Sequence, residues 1–300
     1  MKIAIAGASG FIGSALCDHL KESHEIIAIS REPQKFEQTT SPIKWVSWNE
    51  LKKDAQSIMP SLDAIVNLCG ANIGTQRWTK KRKEKLLQSR IKPTETLIEL
   101  CQQTQTTPAL IQASGVGIYP PDNIKNPGRT HTESDPTNPD NTDFLSFLSN
   151  QWEASAQNDS QRIVTLRFGV VCNPNGGAIR AMLPIFKRGL GGPIGSGQQP
   201  FPWVALNDVV HIIEFCLNTP EITGPVNVVS PTLISQKQLA QALGTQLHRP
   251  ALIPLPAWMV TLLFGEMGRT LLLQGQRVYP QKLLDHGYEF LAPTISAALE

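Results

Sequence analysis

"KIAIAGASGFIG", residues 2 to 13, decides the fold. Ile3 to Ala6 are continuously apolar and β-prone, the pattern of a parallel strand buried on both faces. The chain then passes through Gly7, Gly10 and Gly13 into "SALCDHLKES", a helical stretch with Ala15, Leu16 and Leu20 on one face. Strand, glycine turn and helix together open a dinucleotide-binding unit. The glycines permit a tight turn and close backbone approach, and the free N–H groups at the helix start face a pyrophosphate. A glycine triplet alone is weak evidence, but here the flanks fit and a second strand, "EIIAIS", follows at residues 25 to 30. The candidate cofactor contacts from this unit are Gly7, Ser9, Gly10, Phe11, Ile12 and Gly13.

The second strand ends in Ser30 and Arg31. An NAD site usually has Asp or Glu there to take the adenosine ribose hydroxyls, and that carboxylate would repel a 2′-phosphate. Arg31 can instead pair with the phosphate through two parallel hydrogen bonds and stack on the adenine, with Ser30 as a small donor beside it. NADP is therefore the expected cofactor.

The pattern repeats outward. "DAIVNLCGA" (63 to 71), "PALIQASGVGIY" (108 to 119), "RIVTLRFGVV" (162 to 171) and "GPVNVVS" (224 to 230) read as strands, with helices expected over 79–91, 94–104, 143–157 and 208–218. This alternation predicts an α/β chain: a doubly wound parallel sheet of Rossmann type, with a smaller α+β substrate-side domain at the C-terminal end. The dinucleotide domain is placed at 1–172 and the smaller one at 173–300, with a segment near 205–230 returning to the sheet. Ligands sit beyond the C-terminal strand ends, which puts Gly7, Ser30, Leu68, Cys69, Ser114 and Val171 along one rim, with Gly70 breaking its strand. Cys69 reads as a small buried hydrophobe rather than a nucleophile.

Composition excludes several classes. The 41% hydrophobic and 17% charged residues are those of an ordinary globule, and a net charge of +2 gives no reason to expect nucleic acid as a partner. The five cysteines are dispersed without a Cys-x-x-Cys pair, so no metal site is expected and a reducing compartment is. The N-terminus lacks a signal-peptide pattern. "PAWMVTLLFGEMGRTLLL", residues 256 to 273, is interrupted by Gly265, Glu266, Gly268 and Arg269 and is too broken to span a bilayer. A cytoplasmic protein with no membrane partner is expected; a homodimer is left open. "RWTKKRKEK", residues 77 to 85, holds six basic side chains and one acid and reads as a solvated helix face. Arg90, farther along, can reach the cofactor phosphates. Residues 120 to 142, rich in Pro, Asn, Asp and Thr, read as a mobile lid over the substrate mouth.

"AGASGFIG", "VNLCGA" and "ASGVGIY" resemble the extended short-chain dehydrogenase/reductase superfamily, which includes the nucleotide-sugar epimerases. "RWTKKRKEKLLQSR", "QWEASA", "LRFGVVCNPNGGAI", "LGGPIGSGQQPFPWVALNDVV", "GPVNVVSP", "RPALIPLPAW" and "LLLQGQRVYPQKLLDHGYEF" are similar to one atypical branch, the epimerase family proteins with a C-terminal domain of unknown function. The resemblance spans essentially the whole chain and implies NADP binding without a well-established substrate.

Most of that superfamily carries Tyr-x-x-x-Lys, whose lysine lowers the tyrosine pKa so that the phenol passes a proton near neutral pH. A glutamate commonly follows the lysine by four residues. If Glu153 is that glutamate, the lysine place is Ser149 and the tyrosine place is Leu145. The three tyrosines, Tyr119, Tyr279 and Tyr288, are followed four residues on by Asn123, Leu283 and Ala292, so the motif occurs nowhere in the chain. By resemblance, Ser114 matches the serine that polarises a substrate carbonyl and Tyr119 a pocket-wall tyrosine; Tyr119 can donate a proton, though with no lysine beside it its pKa should stay high. An arginine that grips nucleotide phosphates in sugar-nucleotide epimerases falls at Phe201 here, which argues against a nucleotide diphosphate handle. Either Phe201, Trp203 and Tyr119 line a flatter apolar pocket, with Gln198 and Gln199 supplying hydrogen bonds, or Phe201 and Trp203 belong to the core of the smaller domain. Asp208 reads as the N-cap of the helix "VVHIIEFCL". Three functions stay open: an NADP-dependent oxidoreductase on a small substrate, an epimerase that keeps its cofactor, and a non-catalytic NADP-binding regulator or scaffold.

Overall fold

Ile3 and Ile5 face one side of their strand and Ala4 and Ala6 the other, and all four are at most 1% exposed. A strand whose alternate residues are both buried must lie inside a sheet covered on both faces. The computed structural model, which describes residues 1–36, 42–122, 128–138 and 143–300, places it there.

The chain begins with β1 (Lys2–Ala6), α1 (Phe11–Leu20), β2 (Glu25–Ser30) and β3 (Lys44–Ser47). The short helices α2 (Trp48–Lys53) and α3 (Ala55–Ile58) lead to β4 (Ala64–Asn67). Helix α4 (Lys80–Thr104) precedes β5 (Ala109–Gly115), and α5 (Phe144–Ser155) precedes β6 (Ile163–Phe168). Then come β7 (Val170–Cys172), α6 (Gly177–Lys187), β8 (Pro200–Phe201), β9 (Trp203–Ala205), α7 (Leu206–Asn218), β10 (Gly224–Val228), β11 (Ile234–Ser235) and α8 (Gln236–Gln246). Helices α9 (Ala257–Leu272), α10 (Gln281–Asp285) and α11 (Ile295–Ala298) complete the chain.

Seven strands form one sheet in the order β10-β6-β5-β4-β1-β2-β3, and every neighbouring pair is parallel. This is the doubly wound Rossmann arrangement. The chain winds outward from β1 in one direction and from β4 in the other, so the crevice between their C-terminal ends is the topological switch point. Ile3, Ile5 and Val66 pack with α1 and α7 on one face, through Leu16, Leu20, Val209 and Ile213. On the other face Ala4, Ala6 and Ile65 pack with α4 through Leu97, Ile98 and Cys101. Each fully buried aliphatic side chain contributes about 1.5–3 kcal/mol, so the two layers hold β1 and β4 rigidly beneath the crevice. A further core joins Phe186, Trp203, Leu239, Leu243 and Leu299 beneath α6, α8 and α11.

Three local readings change. The helices expected over 79–91 and 94–104 are one helix, with Pro93 inside it. Proline removes one backbone hydrogen bond, but Leu86 and Arg90 before it and Thr94, Leu97 and Ile98 after it are all buried against the sheet side, and tertiary packing outweighs the local loss. Asp208 is not a helix cap: Ala205 holds that place. Asp208 is 1% exposed and instead accepts hydrogen bonds from Leu291 N (2.7 Å), Ala292 N (3.1 Å) and the Tyr288 hydroxyl (3.1 Å), tying the C-terminal segment to α7. Of the segment read as a lid, residues 123–127 and 139–142 lie outside the described residues, while 128–138 is anchored. His131 bridges to Val278, and Glu133 accepts from Asn227 N at 2.9 Å and Lys282 N at 3.2 Å. Among the described residues no helix is long and apolar enough to cross a membrane, and no cluster of His, Cys, Asp and Glu is placed to hold a metal.

Candidate functional site

The crevice is walled by backbone. Gly7 leaves β1 with φ +81°, a left-handed conformation that only glycine adopts freely, and a Cβ there would stand 3.0 Å from the Leu68 carbonyl. Its N–H donates to Ile29 O, which closes β1 against the end of β2. Gly13 is held tighter still: a Cβ would lie 2.2 Å from Gly7 O. The first turn of α1 therefore presses directly on the end of β1. Its N-cap, Gly10, offers no side-chain cap, so the leading N–H groups of the helix stay available to a ligand. Ser9 and Gly10 are exposed at the mouth. Phe11 turns across to Gly176 and Gly177 at the start of α6, where a Cβ on Gly176 would strike its ring at 2.0 Å. Uncapped backbone amides at a helix start are the donor set that binds a dinucleotide pyrophosphate.

Ser30 is buried at the end of β2, with its Oγ 3.4 Å from Ser9 Oγ, and Arg31 is exposed beside it. Burial pushes the Cys69 thiol up to about 12, against the opposing pull of Arg31, which leaves it protonated and unreactive. On the far wall, Arg90 is 8% exposed and lies behind Gly70, where a Cβ would come within 3.2 Å of its guanidinium carbon. The guanidinium stacks over Trp152 at 4.9 Å and gives one N–H to Leu86 O, while its buried Nε has no partner. Burial, with Arg82 nearby, lowers the Arg90 pKa to about 10, so it remains a cation at neutral pH. Leu68 is half-buried under Gly7, and Val171 lies on β7, its carbonyl facing Gly177.

Beyond β5 the walls are side chains. Register places Ser114, Arg167 and Asn227 side by side on β5, β6 and β10. Glu153 reaches in from α5. Ser114 donates to Glu153 Oε1 at 2.7 Å, and Arg167 grips both oxygens of that carboxylate at 2.9 Å through Nε and Nη2. The third arm of Arg167 donates to the Tyr119 hydroxyl at 2.8 Å, which in turn donates toward Asn227 Oδ1 (2.9 Å) and Thr132 O (3.1 Å). Tyr119 is 0% exposed, so it is an interior member of this chain rather than a wall open to substrate. Burial raises its pKa, although Arg167 opposes the shift. Arg167 is itself held above its ordinary value: burial acts to lower it, but the two-pronged Glu153 contact prevails.

Leu145 and Ser149, the places the resemblance gives to the tyrosine and lysine, face the end of β5 from α5. A Cβ on Gly117 would meet Leu145 Cβ at 3.0 Å, and one on Gly115 would lie 3.9 Å from Ser149 Oγ. Gly115 directly follows Ser114 on the chain, and Gly117 comes two residues later. The second half contributes less to the site than expected. Trp203 is 1% exposed and donates to Thr232 O at 2.9 Å inside the smaller core, and Phe201 is half-buried, paired with Ile234 between β8 and β11 and packed on the same core. Gln199 is buried and braces its own loop through Ile194 O and Leu272 O, while Gln198 is exposed. Arg167 and Asn227 were not singled out from the sequence. The available signal was an arginine and an asparagine inside otherwise apolar strands, "IVTLRF" and "GPVNV".

Residues 3–229 match the NAD dependent epimerase/dehydratase family. The chain belongs to that family. Residues 255–300 match a domain of unknown function that covers α9 to α11. A bovine epimerase family protein, SDR39U1, is 39% identical over 308 residues, covering 100% of this chain and 99% of the relative. A relative from Mycobacterium tuberculosis, epimerase family protein MT2273, is 38% identical, covering 99% and 96%. The crystal structure of human epimerase family protein SDR39U1 with NADPH superposes with a TM-score of 0.87 at 36% identity, covering 99% of this chain and 97% of that one. The family match runs through residue 229 and so takes in β10 and all three strand positions of the Ser114–Arg167–Asn227 row.

Proposed function

We propose that the protein binds NADPH across the β1–β4 crevice and acts as a reductase on a small carbonyl substrate, without the Tyr–Lys proton pair. The observation that carries this reading is the glycine cradle joined to Arg31. Gly13 sits against Gly7 O with no room for a side chain, and the end of β2 offers a guanidinium in place of a carboxylate. The human relative crystallised with NADPH supports the choice of cofactor. Arg90, a buried cation with an unpartnered Nε behind Gly70, supplies a second contact to the cofactor from the opposite wall.

NADPH supplies the hydride, and the chain's share is to orient the two reactants and place a proton. Ser114 already gives its hydrogen to Glu153, so polarising a carbonyl requires that bond to switch; Arg167 holds both oxygens of that carboxylate in place. Water is the proton source that needs no such rearrangement. With Phe201 in place of a phosphate-gripping arginine, the substrate carries no nucleotide diphosphate handle.

A second reading, a cofactor-binding protein that does no chemistry, is favoured by one observation. Leu145 occupies the proton donor's position, and the serine, glutamate and tyrosine nearby are consumed by contacts with one another and with Arg167. The test is a fluorescence titration with NADPH, followed by NADPH absorbance during incubation with a panel of aldehydes and ketones. Binding with cofactor consumption supports the reductase. Binding with no consumption across the panel selects the second reading, and failure to bind NADPH overturns both.

A further inference from the structure

Helix α9 breaks at Gly265, whose φ of +61° and ψ of −137° are not helical. The half-helix before the break ends in carbonyls with no helical partner, and Arg77 takes two of them: Nη2 donates to Leu262 O and Nε to Leu263 O at 2.8 Å. One turn further on, Lys83 pairs with Glu266 at 2.7 Å. These contacts lay the start of α4, with its basic run, against α9. Lys80 is one turn from Lys83 on the same side of α4, and Lys80, Lys81 and Lys85 are exposed. On α9, Trp258, Leu262 and Leu263 are 66%, 66% and 52% exposed. Trp258 and Leu262 stand at i and i+4 on one face, Leu263 lies a quarter-turn round from Leu262, and Val260 and Met267 are buried against the protein.

We infer that this surface docks onto an anionic lipid bilayer, with the exposed face of α9 entering the headgroup layer and Lys80 and Lys81 meeting the lipid phosphates. Large apolar side chains scattered singly on a surface are ordinary, but Trp258 and Leu262 together on one face, with Leu263 adjoining Leu262 and lysines beside them, are not. A helix lying in the interface buries its apolar side and keeps Lys and Arg at headgroup level, and Trp suits that boundary. Charge selects the occupant. Residues 77–85 carry six basic groups to one acid, and Glu266 on α9 is already neutralised by Lys83. A second copy would bring the same excess of positive charge to the contact. Nucleic acid would satisfy the cations and leave Trp258, Leu262 and Leu263 uncovered. This docking lies on the surface of the membrane and needs no spanning helix. It revises the expectation that residues 77–85 are merely a solvated face.

The experiment is co-flotation of the full chain with vesicles of phosphatidylglycerol and phosphatidylcholine, compared with phosphatidylcholine alone, at low and high salt. The parent should float with the anionic vesicles and lose at least tenfold in partitioning at high salt or without phosphatidylglycerol. Lys80→Glu should weaken partitioning about fivefold or more, the fold-change of about 1 kcal/mol per basic residue near an anionic surface. Leu262→Asp should weaken it at least tenfold. Both variants should melt and bind NADPH as the parent does, which separates a docking defect from misfolding. Equal partitioning onto neutral and anionic vesicles, or a Leu262→Asp variant that floats like the parent, overturns the inference. So does a dimer dissolved by Leu262→Asp, or binding to a nucleic-acid duplex, in a protein that ignores vesicles.

Discussion

At the β1–β4 crevice the walls are glycines and peptide groups: Gly7 beneath Leu68, Gly13 against Gly7 O, and the uncapped start of α1. At the β5–β6–β10 end the walls are polar side chains joined to one another, running from Ser114 through Glu153, Arg167 and Tyr119 to Asn227. The first region is tolerant of the ligand and intolerant of its own substitution, because a Cβ has nowhere to go. The second is saturated with internal partners and so resists rearrangement. A buried polar network with every member paired is rigid, and losing one member strands the rest.

The sharpest way to break the comparison is Gly10→Glu. Unlike Gly7 and Gly13, Gly10 has ordinary extended backbone, and a Cβ there would press only on Gly7 O at 3.1 Å, so the fold should survive with a small local shift, while a carboxylate enters the pyrophosphate's place. Two unit charges about 4 Å apart near a protein surface repel by about 4 kcal/mol, so NADPH affinity should fall on the order of a thousandfold. An unchanged rise in melting temperature on adding NADPH would mean that the site lies elsewhere.

Arg167→Met attacks the other region. It leaves the Glu153 carboxylate without its cation, and breaking a buried pair in this way costs about 3–5 kcal/mol. Glu153 is partly exposed (19%), which puts the loss at the lower end. Urea unfolding should show this loss, and Arg167→Met with Glu153→Gln should cost less than the two single changes added together. Additive losses would show that the network is a set of independent contacts.

Arg31→Ala should weaken NADPH ten- to hundredfold, since a hydrogen bond to a charged group contributes about 1.5–3 kcal/mol, and should weaken NADH far less. Arg31 is exposed, so the parent's preference should also shrink at high salt. Equal losses for the two cofactors in a fluorescence titration would move the 2′-phosphate contact away from Arg31, with Arg90 next in line.

The smallest effect is expected at Glu133, which fastens 128–138 to β10 and the start of α10. Burial raises its pKa, although N–H groups from Asn227 and Lys282 act the other way. A raised carboxyl binds its proton more tightly in the folded state. Its contribution to stability is therefore full below the ordinary carboxylate range and is lost as pH rises through the raised value. Glu133→Gln should flatten the decline of melting temperature between acidic and neutral pH. Identical slopes in parent and variant would show that Glu133 titrates as it does in the unfolded chain.

The sheet, its winding and the cofactor crevice were legible in the sequence because they rest on local signals: the unbroken apolar run from Ile3 to Ala6, the glycine spacing, and the residue that ends β2. The absence of Tyr-x-x-x-Lys was legible for the same reason. What fills that absence was not, because Ser114, Glu153, Arg167, Tyr119 and Asn227 are separated by up to 113 residues and meet only through parallel register and the seating of α5. Trp203 and Phe201 could not be assigned because an aromatic in an irregular loop looks the same whether it faces a pocket or a core. Pro93 misled because local chain stiffness was outweighed by burial on both sides of it. The basic run at 77–85 and the broken apolar stretch at 256–273 each had an ordinary reading alone. Only the tertiary structure, by setting Arg77 on the carbonyls of Leu262 and Leu263, made them one surface. Local backbone geometry is written in neighbouring residues, whereas the pairing of distant side chains is decided when the sheet closes and the helices settle on it.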